Sequence, residues 1–208
     1  EKAIQYGCDI INGLHSFLSD DPKLQIEASN NNVNLIDLRK PNYPPKFPKG
    51  SWKKRKFPVL LIIGSDCDTG KMTTAWEITE ALNARNKNVR FIATGQTGIL
   101  LSESGVAVDA VIADFMVGEL EHCLDQLPKN TDLAIVEGQG SINNMYYSGV
   151  TLGILHGCMP DYLIFTHEPI RKMDVAGHPI PDLVQLMDLY LDLMLPFKKS
   201  KYLGVNLL

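Results

Sequence analysis

From Pro58 onward the hydrophobic positions fall into short unbroken runs, each closed by glycine, an acid or a hydroxyl residue. Val59 opens the first run, which ends at Gly64. Residues 89–93, 133–136, 162–165 and 202–206 supply the others, and 108–112 is a further short apolar stretch. Runs this brief and this apolar suit strands buried on both faces. Between them the spacing turns helical. A helix over 71–86 would put Ala75, Ile78, Thr79 and Leu82 on one face, and one over 181–195 would bury Leu183, Leu186, Met187, Tyr190 and Leu191. Further helices are predicted over about 114–127 and 150–155. Strands alternating with helices predict an α/β fold in three layers around a mostly parallel sheet.

The first forty residues follow a different rhythm. Ile4, Ile10, Ile11, Leu14, Phe17 and Leu18 approximate one helical stripe, interrupted by Gly7 and Gly13. Asp21 followed by Pro22 is a helix start, since proline fits the first helical position, and that helix should run to about Ser29. Asn30, Asn31 and Asn32 end it. Val33, Leu35, Ile36 and Leu38 then read as a short strand, and prolines 41, 44, 45 and 48 mark a linker. The division expected is 1–57, an inter-domain segment with linker, and 58–208, the main α/β domain. A start inside a helical pattern and an end inside a strand lead us to expect a missing N-terminal domain and a truncated C-terminus.

The first apolar run leads into the chemistry. Gly64-Ser65-Asp66-Cys67-Asp68-Thr69-Gly70-Lys71 joins a strand to a helix, the arrangement of a phosphate-binding loop. Such a loop turns successive N–H groups towards an anion. The helix start adds its unpaired N–H groups and the positive end of its dipole. Two departures stand out. Five residues separate the glycines where the common pattern has four, and Met72 replaces the hydroxyl that usually meets Mg²⁺, leaving Thr73 and Thr74 to follow.

In parallel sheets ligands gather beyond the carboxyl ends of the strands. The polar clusters predicted there are Asp66 with Lys71, then Thr94 to Thr97, Asp114, Glu137-Gly138-Gln139-Gly140-Ser141, and His167 with Glu168; Gly95-Gln96-Thr97-Gly98 and 138–141 are the candidate substrate contacts. Glu137, behind LAIV, stands where nucleotide-binding loops place a metal-linked carboxylate. Asp114 is either a metal or general-base residue or the cap of the helix it precedes. His167 is a candidate base or substrate contact. His178 lies in a stretch, 171–179, that would serve as a lid. Cys67 is either a nucleophile or a packing residue of the loop.

Composition narrows the classes. A net charge of −4 gives no support for nucleic-acid binding, and the one basic run, from Lys46 to Lys56, reads as a solvated linker. No apolar run reaches the length of a membrane span. Cys8, Cys67, Cys123 and Cys158 have no metal or redox spacing, so free thiols in a cytoplasmic protein are expected.

GSDCDTGKMTT, ATGQTGILL, DAVIADFMVGELE, IVEGQGSINN and LHGCMPDYLIFTHEP, in this order, resemble a P-loop family of unknown function that includes D-glutamate N-acetyltransferases. GLHSFLSDDP and DLRKP are similar to its inter-domain segment. The resemblance implies a P-loop NTPase-like fold preceded by the remnant of a Rossmann-like domain. The loop and VEGQG are also similar to dethiobiotin synthetase, which implies Mg-ATP held by the loop, with Thr73 and Glu137 on the metal and Asn206 near adenine. Two mechanisms follow. In one, the loop holds the phosphates of acetyl-coenzyme A and a base, Asp114 or His167, frees an amino acid amine for acetylation, with backbone N–H groups of 95–98 or 138–141 on the oxyanion. In the other, Lys71 and Glu137 serve phosphoryl transfer from ATP to a carboxylate substrate. A nucleotide-sensing module without turnover is a third reading. Self-association into a homo-oligomer fits the exposed sheet edge.

Overall fold

A computed structural model describes residues 1–102 and 104–208. Two parallel sheets make up the frame. The smaller is a β-α-β unit: strand β1 (Ile10–Asn12), helix α2 (Pro22–Asn31) and strand β2 (Leu35–Asp37), with a one-turn helix α1 (Lys2–Gln5) in front. The continuous stripe expected over the first eighteen residues is therefore broken. Gly7 has φ +73°, and the chain turns there into β1 rather than continuing as helix. The predicted start of α2 holds: the Asp21 carboxylate accepts from Lys23 N and Leu24 N, and Asn32 ends the helix in the left-handed conformation. Ile4, Ala28 and Val33 form the small core of this unit.

The larger sheet holds β3 (Val59–Gly64), β4 (Val89–Ile92), β5 (Leu133–Glu137), β6 (Tyr162–His167) and β7 (Lys201–Leu207), in the spatial order β4-β5-β3-β6-β7, all parallel. Helices α3 (Lys71–Asn83), α4 (Gln96–Ser102), α5 (Ala113–Asp125), α6 (Ser148–Cys158) and α7 (Leu183–Met194) connect the strands. Every residue of β3 is buried. Its odd positions, Val59, Leu61 and Ile63, join Leu120, Leu124, Ile154, Leu155, Leu186 and Tyr190 on one face. Its even positions, Leu60 and Ile62, join Ala75, Val89, Phe91 and Ile135 on the other. That is the three-layer α/β arrangement.

Two elements depart from expectation. The 94–98 stretch, read as a loop, enters α4 at Gln96, and the apolar 108–112 stretch contains a 3₁₀ turn over Val108–Ala110. The Pro- and Lys-rich linker is also no solvated tether. It lies along α5, where buried Glu119 and Glu121 accept the backbone N–H groups of Lys46, Lys49 and Ser51. Because β3 sits between strands reached in opposite directions, its carboxyl end is the topological switch point, and the glycine-bracketed loop begins there.

Candidate functional site

The loop leaves β3 at Gly64 and enters α3 at Lys71. Gly70 adopts φ +79°, a left-handed turn that glycine takes without strain, and so aims the N-terminus of α3 at the loop's hollow. Thr69 Oγ1 donates to Asp66 O (3.1 Å) and shares a hydrogen bond with Thr166 Oγ1 (2.7 Å). Lys71 runs beneath the loop, 6% exposed, and its Nζ donates to Asp66 O and to Thr69 Oγ1. Burial lowers its pKa to about 8, because the charged ammonium loses water. At the end of β5, Gly138 passes so close that a Cβ there would lie 2.0 Å from Ile62 O and 3.3 Å from Lys71 Cδ.

Glu137 closes the floor from β5. It is 5% exposed; Oε2 accepts from Thr94 N (3.0 Å) and Oε1 from Gln139 Nε2 (3.3 Å). Burial raises its carboxyl pKa above the ordinary range, while the Thr94 and Gly95 N–H groups and Lys71 pull against that rise. A cavity of about 670 Å³ opens over these groups, bounded by 67–68, 70–73, 94–97 and 137–140, with Arg39, Asp109 and Tyr147 at its margin.

Most of the sequence candidates meet here: Cys67, Asp68, Gly70, Lys71, Met72 and Thr73 from the loop, Gly95, Gln96 and Thr97, and Glu137, Gly138, Gln139 and Gly140. Gly64, Ser65, Thr69, Gly98 and Ser141 are buried and do not line the cavity. Asp66 has a different task. It is fully buried, and its carboxylate accepts from Asn144 Nδ2 (2.9 Å), Arg171 NH1 (3.2 Å) and Val175 N (2.8 Å). That clamp anchors the 171–179 stretch, which is a tethered turn and not a free lid.

His167 lies off the cavity, its Nδ1 sharing a 2.8 Å hydrogen bond with Ser65 Oγ; burial first, then Arg171, lowers its pKa. Asp114 is exposed in the first turn of α5, neither capping it nor lining the cavity. Neither residue is placed to serve as base at this cavity. Asn206 borders a separate groove of about 370 Å³ on the other side of the start of α3, with Gly70, Ile78, Ile164, Val205 and Leu208, and donates to Thr74 Oγ1 (2.9 Å). The Cys67 thiol has its pKa raised by burial, which argues for packing over nucleophilic attack.

Arg39, Asp109 and Tyr147 were not among the sequence candidates. Arg39 follows β2 as the loop follows β3, so the strand-end rule that found Glu137 also reaches it. Asp109 and Tyr147 carried no such signal. Among the described residues no helix is long and apolar enough to cross a membrane, and no group of three or more His, Cys, Asp or Glu side chains could hold a metal ion.

Comparison with known proteins adds a second line. The profile described as "Domain of unknown function (DUF1611_C) P-loop domain" matches residues 46–207, and "Domain of unknown function (DUF1611_N) Rossmann-like domain" matches residues 1–41. A protein of Tritonibacter scottomollicae named D-glutamate N-acetyltransferase is 39% identical over 210 residues, covering 99% of this chain and 62% of the relative. One of the same name from a Pseudoalteromonas species is 43% identical over 166 residues, covering 80% of this chain and 49% of the relative. The chain thus spans half to three-fifths of the length of these curated relatives. A crystal structure of a DUF1611 family protein from Anabaena variabilis superposes with a TM-score of 0.91 at 30% identity, over 99% of this chain and 61% of that one. A nucleotide-binding protein from Archaeoglobus fulgidus, solved with ADP, gives 0.52 at 10% identity over 71% and 65%, a likeness of fold alone.

Proposed function

The chain belongs to the DUF1611 family, and on that premise we propose that its loop cavity binds acetyl-coenzyme A and passes the acetyl group to the amine of an amino acid such as D-glutamate. The observation that carries this reading is the buried Glu137 carboxylate sharing one cavity with Lys71 while a thioether, Met72, stands in the usual metal-hydroxyl position. Lys71 and the N–H groups at the start of α3 suit the diphosphate, and no metal is required for that. The apolar groove bounded by Ile78, Val205 and Asn206 suits the adenine.

Only a neutral amine attacks a thioester. Glu137, with its raised pKa, is the base that takes the ammonium proton; in this it replaces Asp114 and His167. The amine nitrogen bonds to the acetyl carbon, and backbone N–H groups of 138–140 stabilise the oxyanion. The carbon–sulfur bond then breaks: the proton held on Glu137 passes to the departing coenzyme A thiolate, and the freed carboxylate takes the second proton from the former amine nitrogen and releases it to solvent, leaving a neutral amide. The names of the two curated relatives support the acyl transfer and the amine.

A second reading, ATP-dependent activation of a carboxylate, draws on Thr73 and Glu137, which border the same cavity as Lys71 and would hold Mg²⁺ alongside nucleotide phosphates and water. Calorimetric titration separates the two. Acetyl-coenzyme A binding without metal, lost in Lys71→Ala, supports the transferase. Mg²⁺-dependent ATP binding with indifference to acetyl-coenzyme A sinks it.

A further inference from the structure

The carboxyl ends of both parallel sheets point at one cavity. β3, β4 and β5 bring the loop, Thr94 and Glu137 from one side. β1 and β2 end on the other, where Gly13 and Arg39 lie; a Cβ on Gly13 would sit 3.3 Å from Gln96 Cγ, so the small unit packs directly against the start of α4. The site is therefore composite.

Arg39 is the cation this second side contributes. Its side chain is 11% exposed and lines the cavity. Nε donates to Gly13 O at 2.7 Å, and NH1 is paired with Asp109 Oδ2 and lies 3.4 Å from His15 Nε2. NH2 makes no hydrogen bond to the described residues. Two edges of the guanidinium are thus fixed by the protein while the third remains for a ligand. A guanidinium oriented in this way matches a carboxylate oxygen better than a lysine would, because its donors are planar and preset.

We propose that Arg39 is the carboxylate-binding residue for the acceptor amino acid, across the cavity from the phosphate-binding Lys71. This rests on the reading of the cavity as an acetyltransferase site, and it divides that cavity by charge: phosphates at Lys71, acceptor carboxylate at Arg39, amine between them near Glu137. Asp109 is a positioning residue, since it holds NH1 and exposes no group that an anionic acceptor would favour.

The test is calorimetry on the full chain with two probes, D-glutamate and acetyl-coenzyme A, for the wild type, Arg39→Met and Arg39→Lys, each checked by thermal melting. The expected result is D-glutamate affinity lowered at least tenfold in Arg39→Met and by less in Arg39→Lys, with acetyl-coenzyme A affinity within about twofold of the wild type in both. Unchanged D-glutamate affinity in Arg39→Met overturns the assignment, as does an equal loss of both ligands, which would mark Arg39 as a structural latch. Absence of D-glutamate binding in the wild type overturns it too. Arg39-dependent D-glutamate binding without any acetyl transfer would uphold the carboxylate site and overturn the transferase reading.

Discussion

Asp66 and Glu137 are buried carboxylates that both act on Lys71, one from five residues earlier in the loop and the other from the end of β5, and their surroundings put them to opposite uses. Asp66 is saturated by Arg171, Asn144 and the Val175 N–H, so its charge holds the loop to its neighbours. Asp66→Asn removes the buried one of the two carboxylates on Arg171, which keeps Glu168, and should cost about 1–3 kcal/mol in urea unfolding; a change below about 0.5 kcal/mol would mean that the clamp is not holding the loop. Glu137 keeps a place on the cavity, and its pKa is raised above the unfolded value of 4.5 by burial. Between that value and the raised one, the folded chain retains a proton that the unfolded chain has lost. Stability therefore falls as pH climbs through this window, and Glu137→Gln should be the more stable protein at neutral pH, with the difference gone below about pH 4. On the proposed acetyltransferase reading, the same variant should lose roughly 10²-fold or more in acetyl transfer while holding acetyl-coenzyme A normally. Lys71 has the opposite sign. Its pKa is depressed from 10.5 to about 8, so the folded state gains stability as pH rises between those values and loses it on the way down. Lys71→Met should thus raise the melting temperature at pH 7 and abolish phosphate-ligand binding, and its advantage should shrink as pH approaches 10.5.

At the scale of elements, the strap over 42–57 shows how packing overrides a compositional reading. Prolines and lysines describe a linker, yet this segment is bolted to α5. Glu119 and Glu121 accept its N–H groups, Ser51 Oγ donates to Asp125 at 2.7 Å, and Phe47 meets Phe115 at 4.7 Å between ring centroids. Gly118 is where strap and helix touch: a Cβ there would lie 2.0 Å from Lys46 O and 2.5 Å from the carbonyl carbon of Phe47, both backbone. No side-chain rotation relieves that overlap. Gly118→Ala should cost about 1–3 kcal/mol despite alanine's better helix propensity, read as a lower urea midpoint with unchanged slope; a stabilised variant would mean that the strap is loosely seated. The strands around the cavity were legible because a doubly buried parallel strand leaves an unbroken apolar run, as at Val59 to Ile63. The N-cap at Asp21 was legible because capping is local. The strap was not, since what recognises it is a pair of acids some seventy residues away. Nor was the break at Gly7, where β1 wins its place by pairing with β2. Asp114 and His167 failed as candidates for the same reason: sequence locates a residue near a strand end or helix start but not the direction of its side chain.

At the scale of the described chain, a two-stranded and a five-stranded parallel sheet face each other across one cavity. The larger sheet has cores on both faces; within this chain the smaller unit rests on Ile4, Ala28 and Val33 with a few half-buried neighbours. Its attachment runs through the Arg39–Asp109 ion pair and the Gly13–Gln96 contact, both at the cavity. Local opening should therefore divide the chain. Amide hydrogen exchange is expected to be slowest in β3, β5 and β6, at the free energy of global unfolding, and faster across 1–41, which can lift away while the large sheet stays folded. Asp109→Asn should speed exchange in 1–41 by about 3- to 5-fold, the worth of a half-exposed pair, and leave β3 unchanged. Ligands should act on the two halves in order. Acetyl-coenzyme A alone is expected to protect 64–74, where its phosphates would sit, and D-glutamate added afterwards to protect residues 10–39, because an acceptor spanning Arg39 and the Glu137 side ties the small unit down. Equal protection of both halves by acetyl-coenzyme A alone would place the coenzyme, and not the acceptor, against the small unit and would reverse the division of the cavity by charge.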